Sequence, residues 1–498
     1  MSGQTTNIQK SGLILGIVSG MIILIFFNPD PERPQVTATA AIAILMAIWW
    51  ITEAIPLAVT SLIPVVLFPV CNIMDGKAVS SAYFNDVIFL FIGGFIVALA
   101  MQRWNLHKRI ALITLIIFGV RPKRILLGFM VSTAFLSMWI SNTAATMMMI
   151  SIALSVIINL ESTLGEKPTK KYAIGLLLGT AYSASIGGIA TLIGTPPNLA
   201  FLKIYTISFP EAPEISFLQW MIFALPVSVF FLFVAWGFLS LLFCRVNFFL
   251  DREIFRKQYR DLGKISYEEI IVLTDFLLLA LLWLSRADIR IGNFIIPGWS
   301  GLFSNPEYIN DGTVAILLSL LLFIIPAKKA SSIMNWDTAV KLPWSIVLLF
   351  GGGFALATGF KESGLSEWFG SQLAGLENFP TVLIIAALAF MITFLTELTS
   401  NTATAQILLP IIGALAVSIE KNPLMLMIPA TLSCSFAFML PVATPPNAII
   451  FGTDRLRIID MARVGIILNL IGIVIVTIAI YLLGGFLNID SIIPGWAK

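Results

Sequence analysis

The chain has 498 residues, of which 58% are hydrophobic and only 11% are charged, and its mean hydropathy is +0.95. A soluble protein of this length needs more charge, so the composition predicts a polytopic membrane protein. The formal net charge of +3 is too small to indicate nucleic-acid binding. Three scattered cysteines, Cys71, Cys244 and Cys434, and a single histidine, His107, predict neither a disulfide framework nor a metal site.

Apolar stretches long enough to cross about 30 Å of hydrocarbon predict about eleven transmembrane helices. No small-residue cleavage site follows the first stretch, so it is predicted to remain as a membrane helix. The predicted spans are 11–28, 37–55, 56–70, 87–104, 172–206, 217–243, 268–285, 312–327, 343–360, 424–454 and 462–486, and two further apolar stretches, 122–160 and 379–418, are about twice as long as one crossing.

A polar triplet, Ser-Asn-Thr, interrupts the middle of each of these two long stretches, at residues 141–143 and again at 400–402. Lipid tolerates polar side chains and irregular backbone only where protein or a polar cavity surrounds them, so the triplets indicate a binding site inside the membrane. Each stretch is predicted to enter and leave on one side, either as two full spans or as a re-entrant hairpin. The tips lack the residues of a solvated turn, and a helix over 124–139 would reach only about 24 Å. Both features favour re-entrant hairpins.

Lysine and arginine cluster on one side of the predicted topology, which by the positive-inside rule is the cytoplasmic side. The segment after span 87–104, the ends of the first hairpin and the polar loop 245–264 are basic, whereas 211–214 and 361–378 are richer in acidic residues. The N-terminus is therefore predicted to be cytoplasmic. No Asn-x-Ser/Thr glycosylation acceptor occurs in the sequence, which favours a bacterial inner membrane.

The two halves of the chain match at nearly constant offsets. The triplets are 259 positions apart, as are Ser137 and Thr396, and a Thr-Pro-Pro-Asn motif at 195–198 recurs 249 positions later at 444–447. These offsets indicate an internal duplication. Because the first unit holds five spans, an odd number, the second unit is predicted to be inverted. Inverted repeats with broken helices near the midplane are typical of secondary transporters.

The predicted fold class is an all-α polytopic membrane protein with about eleven transmembrane helices and two re-entrant hairpins in an inverted repeat. The predicted units are an N-terminal transmembrane helix (1–36), a first repeat (37–243) with hairpin 122–160 and broken helix 172–206, a cytoplasmic linker (244–267), and a second repeat (268–498) with hairpin 379–418 and broken helix 424–454.

The four motifs offer hydroxyls, amides and freed backbone groups but no lysine or arginine. Because proline lacks an amide donor and clashes with the preceding turn, the helices are predicted to break at Thr195 and Thr444. Carbonyls freed there, with serine and asparagine oxygens, suit a small cation such as sodium, and half-helix N-termini suit carboxylates. Cation and anion should therefore bind interdependently. Glu53 and Glu397 leave open either proton coupling or structural hydrogen bonding.

An intramembrane enzyme is not supported, because the sequence has no Gly-x-Ser-x-Gly, no His-Glu-x-x-His and no paired membrane aspartates. A channel is a further alternative, but two inverted hairpins around a compact site favour alternating access. The residues therefore predict a carrier.

At these motifs the chain resembles the divalent-anion/sodium symporter family, whose signature is paired Ser-Asn-Thr tips and paired Thr-Pro-Pro breaks; the likeness covers nearly the whole chain. The resemblance implies a homodimer whose protomers each have a scaffold domain and a transport domain that moves by an elevator mechanism. It also implies one sodium site of Ser137, Ser141, Asn142 and Gly194, a second of Thr396, Ser400, Asn401 and Ala443, and substrate contacts from Asn142, Thr143, Asn401, Thr402, Thr444 and Pro445.

The activity implied by the resemblance is sodium-coupled symport of C4-dicarboxylates such as succinate, malate and fumarate. Some members of the family exchange organic anions without sodium, and others carry citrate or sulfate, and the tip motifs do not separate these cargoes. Both tips keep the full triplet and the upstream hydroxyl, which favours sodium coupling. Sodium, a dicarboxylate and the lipid bilayer are the expected partners.

Overall fold

The computed structural model describes residues 6–245, 248, 250–291, 294–487, 489–490 and 492–497. The fold of these residues is nearly all helical, as predicted, with one exception: two short strands, β1 (Ile289–Ile291) and β2 (Phe294–Ile296), pair antiparallel. The predicted units also include residues that lie outside the described part of the chain, namely 1–5, 246, 247, 249, 292, 293, 488, 491 and 498.

The first half of the chain, with the predicted linker, contains thirteen helices among the described residues. They are α1 (Asn7–Phe26), α2 (Pro34–Thr52), α3 (Leu57–Thr60), α4 (Ile63–Val70), α5 (Gly76–Tyr83), α6 (Asp86–Arg103), α7 (Leu106–Phe118), α8 (Pro122–Ser137), α9 (Asn142–Leu164), α10 (Glu166–Gly188), α11 (Pro196–Ser208), α12 (Phe217–Phe243) and, in the linker, α13 (Glu253–Asp261).

The second half contains ten α-helices among its described residues, together with five short 3-10 turns. The helices are α14 (Tyr267–Leu284), α15 (Asp311–Ile324), α16 (Trp336–Ala339), α17 (Trp344–Ser363), α18 (Leu365–Leu373), α19 (Thr381–Thr396), α20 (Asn401–Ser418), α21 (Pro423–Ser433), α22 (Pro445–Phe451) and α23 (Ile458–Leu483), and the 3-10 turns are Trp299–Leu302, Pro306–Tyr308, Ala374–Asn378, Gly484–Leu487 and Gly495–Ala497.

Eight helical segments of the described chain are long and apolar enough to cross a membrane. Helix α14 has the length but carries three acidic residues, Glu268, Glu269 and Asp275, on its buried face. Four other apolar helical segments are shorter; α15, for example, has 14 residues and is about 21 Å long. The count of eleven spans stays a prediction. The eight segments are α1, α2, α5 with α6, α9, α12, α17, α20 and α23.

Each Ser-Asn-Thr triplet lies at a sharp break between two helices. Helix α8 ends at Ser137 and α9 begins at Asn142, and in the second half α19 ends at Thr396 and α20 begins at Asn401. Ser141 accepts a hydrogen bond from the Ala144 amide at 3.2 Å, which is the N-cap arrangement that serine favours. Helices α8 and α19 have 16 residues each and are about 24 Å long, short of a full crossing.

The Thr-Pro-Pro-Asn motifs begin helices. Helix α10 ends at Gly188 and α11 starts at Pro196, while α21 ends at Ser433 and α22 starts at Pro445. Thr195 and Thr444 thus stand at the ends of the two breaks. The backbone is non-helical over 189–195 and 434–444, and each threonine is the N-cap of the second half-helix. The reason is that a proline in the first turn has no amide to leave unpaired, and its fixed φ suits the helix.

The two halves interleave around these breaks. Helix α9 of the first hairpin packs against α22 of the second half, and α20 of the second hairpin packs against α11 of the first half. Most buried apolar side chains form one core that includes residues of all four of these helices, and a smaller core joins α2, α4 and α5 to α17. This packing brings the four motifs into one region of the molecule.

Candidate functional site

The first tip gathers oxygen atoms from three parts of the chain. Ser137 Oγ donates a hydrogen bond to Asn142 Oδ1. The same amide oxygen faces the carbonyl oxygens of Ala184, at 3.2 Å, and Gly194, at 3.3 Å. Facing oxygens repel, so the amide either turns over and donates through its nitrogen or shares a cation with its neighbours. With a shared cation, the hydroxyl, the amide oxygen and the two carbonyls supply only oxygen ligands, which is the chemistry of a sodium site.

Two glycines allow this close approach. A Cβ on Gly188 would lie 2.7 Å from Asn142 Oδ1, and a Cβ on Gly194 would lie 2.4 Å from the Gly188 carbonyl oxygen. Any larger residue at either position would push the backbone or the Asn142 amide away. The glycines therefore set the size of the oxygen cluster.

The second tip repeats part of this arrangement. Thr396 Oγ1 lies 2.7 Å from Asn401 Oδ1 and 3.0 Å from the Cys434 carbonyl oxygen, and its single proton can be shared between the two. The hydroxyl thus occupies the place that Ser137 has in the first tip, as the offset of 259 predicts. Ala443 is buried in the break that follows Cys434.

The remaining predicted contacts differ in their exposure. Thr143 is half-buried at the first tip, whereas Thr402 is buried at the second. Thr444 is buried and caps α22 by accepting from the Asn447 amide at 3.3 Å, while Pro445 is exposed. Ser400 holds the N-cap position of α20 without a side-chain capping bond.

Two asparagines that sequence reasoning did not assign to the site fasten the breaks. Asn198 Nδ2 donates to the carbonyl oxygens of Gly188, at 3.3 Å, and Thr191, at 2.7 Å. Asn447 Nδ2 donates to the equivalent carbonyls of Ala437 and Leu440, both at 3.0 Å. The available signal was that each asparagine closes a repeated motif inside an apolar segment.

Each break is also tied to its own hairpin tip. In the first half, Thr191 Oγ1 donates to the Met138 carbonyl oxygen at 2.5 Å. In the second half, the Glu397 carboxylate accepts from the backbone amides of Met439, at 2.8 Å, and Leu440, at 3.0 Å. Met138 and Glu397 are 259 positions apart and Thr191 and Leu440 are 249 apart, so different chemistry joins equivalent positions.

The two carboxylates singled out in the sequence have different surroundings. Glu397 is buried and accepts a third hydrogen bond, from Asn469 Nδ2 at 2.8 Å. Donors to both of its oxygens fasten Glu397 to the second break and to α23, which favours a structural role. Glu53 is exposed at the C-terminal end of α2, in a left-handed backbone conformation with φ of 46°, and belongs to neither hairpin.

The candidate site is polar but nearly free of side-chain charge. Within the described residues, no cluster of three His, Cys, Asp or Glu side chains could hold a metal ion, so the candidate cation ligands are neutral oxygens. Four helices, α9, α11, α20 and α22, begin in this region. Helix N-termini carry free amide groups and a positive dipole end, which favour anions.

Comparison with known proteins gives two close relatives of nearly the same length. The chain is 44% identical over 486 residues to the sodium-dependent dicarboxylate transporter SdcS of Staphylococcus saprophyticus, covering 95% of this chain and 91% of that protein. It is also 44% identical over 483 residues to SdcS of Staphylococcus aureus, with the same coverage.

Two solved structures share the fold at low sequence identity. MtrF of Neisseria gonorrhoeae gives a TM-score of 0.56 at 14% identity, over 84% of each chain. The YdaH transporter of Alcanivorax borkumensis gives a TM-score of 0.52 at 12% identity, over 80% of this chain and 86% of that chain.

The family model described as the sodium:sulfate symporter transmembrane region matches residues 8–489. That range includes both hairpins, both breaks and all of the predicted site residues. The chain therefore belongs to the sodium:sulfate symporter family, which is the divalent-anion/sodium symporter family that its paired tips and breaks resemble.

Proposed function

We propose that the protein is a sodium-coupled symporter of dicarboxylates in the bacterial inner membrane. The observation that carries the proposal is the polar cluster at the first tip, where the side-chain amide of Asn142 meets the Ser137 hydroxyl and the carbonyl oxygens of Ala184 and Gly194. Hard, neutral oxygens in small numbers suit sodium, which needs no charged ligand. The pair formed by Thr396 and Asn401 supplies a second site of the same kind.

The dicarboxylate is held without arginine or lysine. The four motifs contain no basic side chain, so its charge is balanced by the helix N-termini, the tip hydroxyls and the bound sodium ions. Thr143, Thr402, Thr444 and Pro445 provide the remaining contacts. An anion bound in this way is strongly retained only when sodium is present, and this coupling makes the transport sodium-dependent.

The relatives named for dicarboxylates favour succinate, malate and fumarate over citrate or sulfate as cargo. Proton coupling through Glu397 is the main rival. The three hydrogen bonds that Glu397 accepts favour its structural role instead. Exchange of organic anions without sodium is the other alternative, but it would not explain the two oxygen clusters at the tips.

Transport is proposed to follow an elevator mechanism in a homodimer with cytoplasmic N-termini. The helices on either side of the four motifs and those packed against them, α8 to α12 and α19 to α23, form the moving transport domain, and the other helices form the scaffold. The predicted topology places 104–121 and 452–457 on the cytoplasmic side and 209–216 and 285–310 outside.

Uptake of labelled succinate into proteoliposomes tests the proposal. An inward sodium gradient should drive uptake that a matched potassium gradient does not. Asn142→Ala and Asn401→Ala should each abolish it, whereas Asn378→Ala, which changes an exposed amide outside both tips, should not. Equal uptake in sodium and potassium, stimulated by internal dicarboxylate, would identify an exchanger. If succinate is not taken up but citrate or sulfate is taken up in a sodium-driven manner, the proposed substrate is wrong and the sodium coupling stands.

A further inference from the structure

One face of α9 is half-buried at the first tip and exposed from Met147 almost to the end of the helix. Its positions recur every three or four residues, and most of them are polar. Met147, near the tip, is 57% exposed. We call this face the α9 stripe; it consists of Thr143, Met147, Ser151, Ser155, Ile158, Asn159 and Ser162.

The composition of the α9 stripe differs from that of the lipid-facing surface elsewhere in the chain. On α23, the exposed residues between 466 and 482 are Ile466, Ile467, Leu470, Val474, Ile478, Tyr481 and Leu482. Lipid-facing positions are expected to be apolar in this way. Ser151 and Ser155 donate back to helix carbonyls at 3.1 Å, which leaves their acceptor lone pairs and the Asn159 amide for water.

The equivalent face of α20, 259 positions later, is sealed at the end near the second tip. It consists of Thr402, Gln406, Pro410, Ala414 and Ser418; the first three are buried, the last two are half-buried, and α20 packs against α17 and α18. Where Met147 is exposed, Gln406 is 0% exposed. The two repeat units thus differ in packing. Such a difference is expected of a carrier that alternates between two states when a structure describes one of them.

Gln406 is the tightest point of this seal. A Cβ on Gly353 of α17 would lie 2.2 Å from Gln406 Cδ, so the side chain presses directly on the glycine. Neither the oxygen nor the nitrogen of its amide has a hydrogen-bond partner among the described residues. An unpaired buried amide is costly, and a state in which water reaches Gln406 would relieve that cost.

A cavity of about 660 Å³ lies beyond this contact, at the end of α20 away from the tip. Its walls include Pro410, Ala414 and Ser418 of the sealed face, with Lys361 at the end of α17 and Trp496 near the C-terminus. The cavity therefore reaches along α20 as far as Pro410 and stops one helical turn before Gln406.

The two breaks show the same asymmetry. Val442 is 79% exposed, whereas its equivalent in the first half, Ile193, is 7% exposed. Ala448 on α22 is exposed and its equivalent, Leu199 on α11, is fully buried. Since α22 packs beside α9 and α11 beside α20, both repeats agree: the α9 side is open and the α20 side is closed.

We propose that the α9 stripe and the exposed face of α22 line a water-filled passage from the site to the cytoplasmic side, and that the face of α20 lines the outer passage, closed here where Gln406 packs on Gly353. This inference rests on the proposed function, because the passages serve the transported dicarboxylate. Apart from Thr143, Thr402 and Pro445, which are also proposed substrate contacts, the passage-lining residues and the closing contact lie outside the sodium and substrate ligands.

Cysteine accessibility tests the proposal in a background in which Cys71, Cys244 and Cys434 are replaced and sodium-driven uptake is retained. Single cysteines are introduced as Ser155→Cys on the α9 stripe, Ile467→Cys on the lipid-facing surface, Ser418→Cys at the outer cavity and Gln406→Cys at the closing contact. A membrane-impermeant methanethiosulfonate is added to inside-out or right-side-out vesicles without sodium.

Ser155→Cys should react from the cytoplasmic side at least about tenfold faster than Ile467→Cys, because a thiol in lipid stays protonated. From the outer side, Ser418→Cys should react about tenfold faster than Gln406→Cys for the same reason. Ser151→Cys repeats the first test if Ser155→Cys fails to fold. The proposal is overturned if Ser155→Cys reacts no faster than Ile467→Cys or only from outside, or if Gln406→Cys matches Ser418→Cys.

Succinate uptake by the same vesicles separates the two claims. If the cysteines react as expected but no dicarboxylate is taken up with sodium, the proposed function is wrong and the proposal of the passages stands. If uptake is sodium-driven but the cysteines react in the overturning pattern given above, the proposal of the passages is wrong and the proposed function stands.

Discussion

Asn198 and Asn447, 249 residues apart, hold the two helix breaks with equivalent pairs of hydrogen bonds. Each side-chain amide donates to two carbonyls of its own break, Gly188 and Thr191 in the first half and Ala437 and Leu440 in the second. The carbonyls are themselves 249 positions apart. The same brace thus keeps both non-helical segments in place beside the tips.

Asn198→Asp should destabilise the protein, because a carboxylate keeps the shape of the amide but cannot donate. The carbonyls of Gly188 and Thr191 would lose their partner and face a negative charge, at a cost of at least about 2 kcal/mol. Thermal unfolding in detergent measures the change. Asn159→Asp, on the exposed α9 stripe, is the matched control. Equal stability of the two variants would show that the hydrogen bonds of Asn198 do not hold the break in place.

Gly188→Ala should weaken sodium binding at the first tip. The new methyl group would lie 2.7 Å from Asn142 Oδ1 and displace it. Displacing a ligand typically raises the sodium concentration for half-maximal uptake about tenfold or more. The second half already has alanine, Ala437, at the equivalent position, so Ala437→Gly is the control and should change sodium dependence little. An unaltered sodium curve for Gly188→Ala would count against this cluster as a sodium site.

Glu397→Gln should reduce stability and transport rate but keep the requirement for sodium. The glutamine oxygen can still accept from Met439 and Asn469, while its NH₂ group would face the Leu440 amide and lose that bond. The expected loss is about 1–3 kcal/mol. Uptake measured over a range of sodium concentrations and pH values tests this. Abolished uptake at every sodium concentration in a normally folded variant would instead favour proton coupling.

Gln406→Met should stabilise the state described here. Methionine is the residue at the equivalent position 147, and it would bury an apolar chain against Gly353 in place of an unpaired amide, for a gain of about 1–2 kcal/mol. The melting temperature should rise and the turnover of uptake should fall. Gln372→Met, an exposed position on α18, is the control. A lower melting temperature for Gln406→Met would argue against the closing contact.

His107 should make the protein less stable in mild acid. Helix α7 lies outside the predicted spans, and the histidine is buried with Nδ1 3.0 Å from the Met101 carbonyl oxygen. Burial lowers the pKa of His107 to about 4. Since the folded pKa is below the unfolded one, stability present above pH 6.5 is lost as the pH falls towards 4, by about 2 kcal/mol between pH 7 and pH 5. His107→Gln should flatten this dependence in thermal unfolding, and an unchanged slope would contradict it.

Much of the candidate site could be predicted from the sequence because it depends on side-chain chemistry and spacing. The resemblance implied that Ser137 lies with Asn142 and Thr396 with Asn401, and in the structure each hydroxyl does lie beside that amide. The offset of 259 positions correctly made Thr396 the counterpart of Ser137. The nearly all-helical membrane fold followed from the apolar composition.

Other parts of the site depend on backbone atoms, which leave no mark in the sequence. The Ala184 carbonyl oxygen faces Asn142, yet any residue there would offer the same oxygen. The length of each break could not be predicted either, because a Thr-Pro-Pro motif marks where the second half-helix begins but carries no information on where the first one ends.

Composition, motif and offset are enough to predict the membrane class, the two polar tips, the duplication and the lack of basic ligands. How the two halves differ depends on the packing between helices. Met147 and Gln406 are equivalent by repeat, and one is exposed while the other is sealed against Gly353. Exposure depends on which helices pack across a face, and equivalent positions of the two halves have different helices as neighbours: α9 packs beside α22, whereas α20 packs beside α11, α17 and α18.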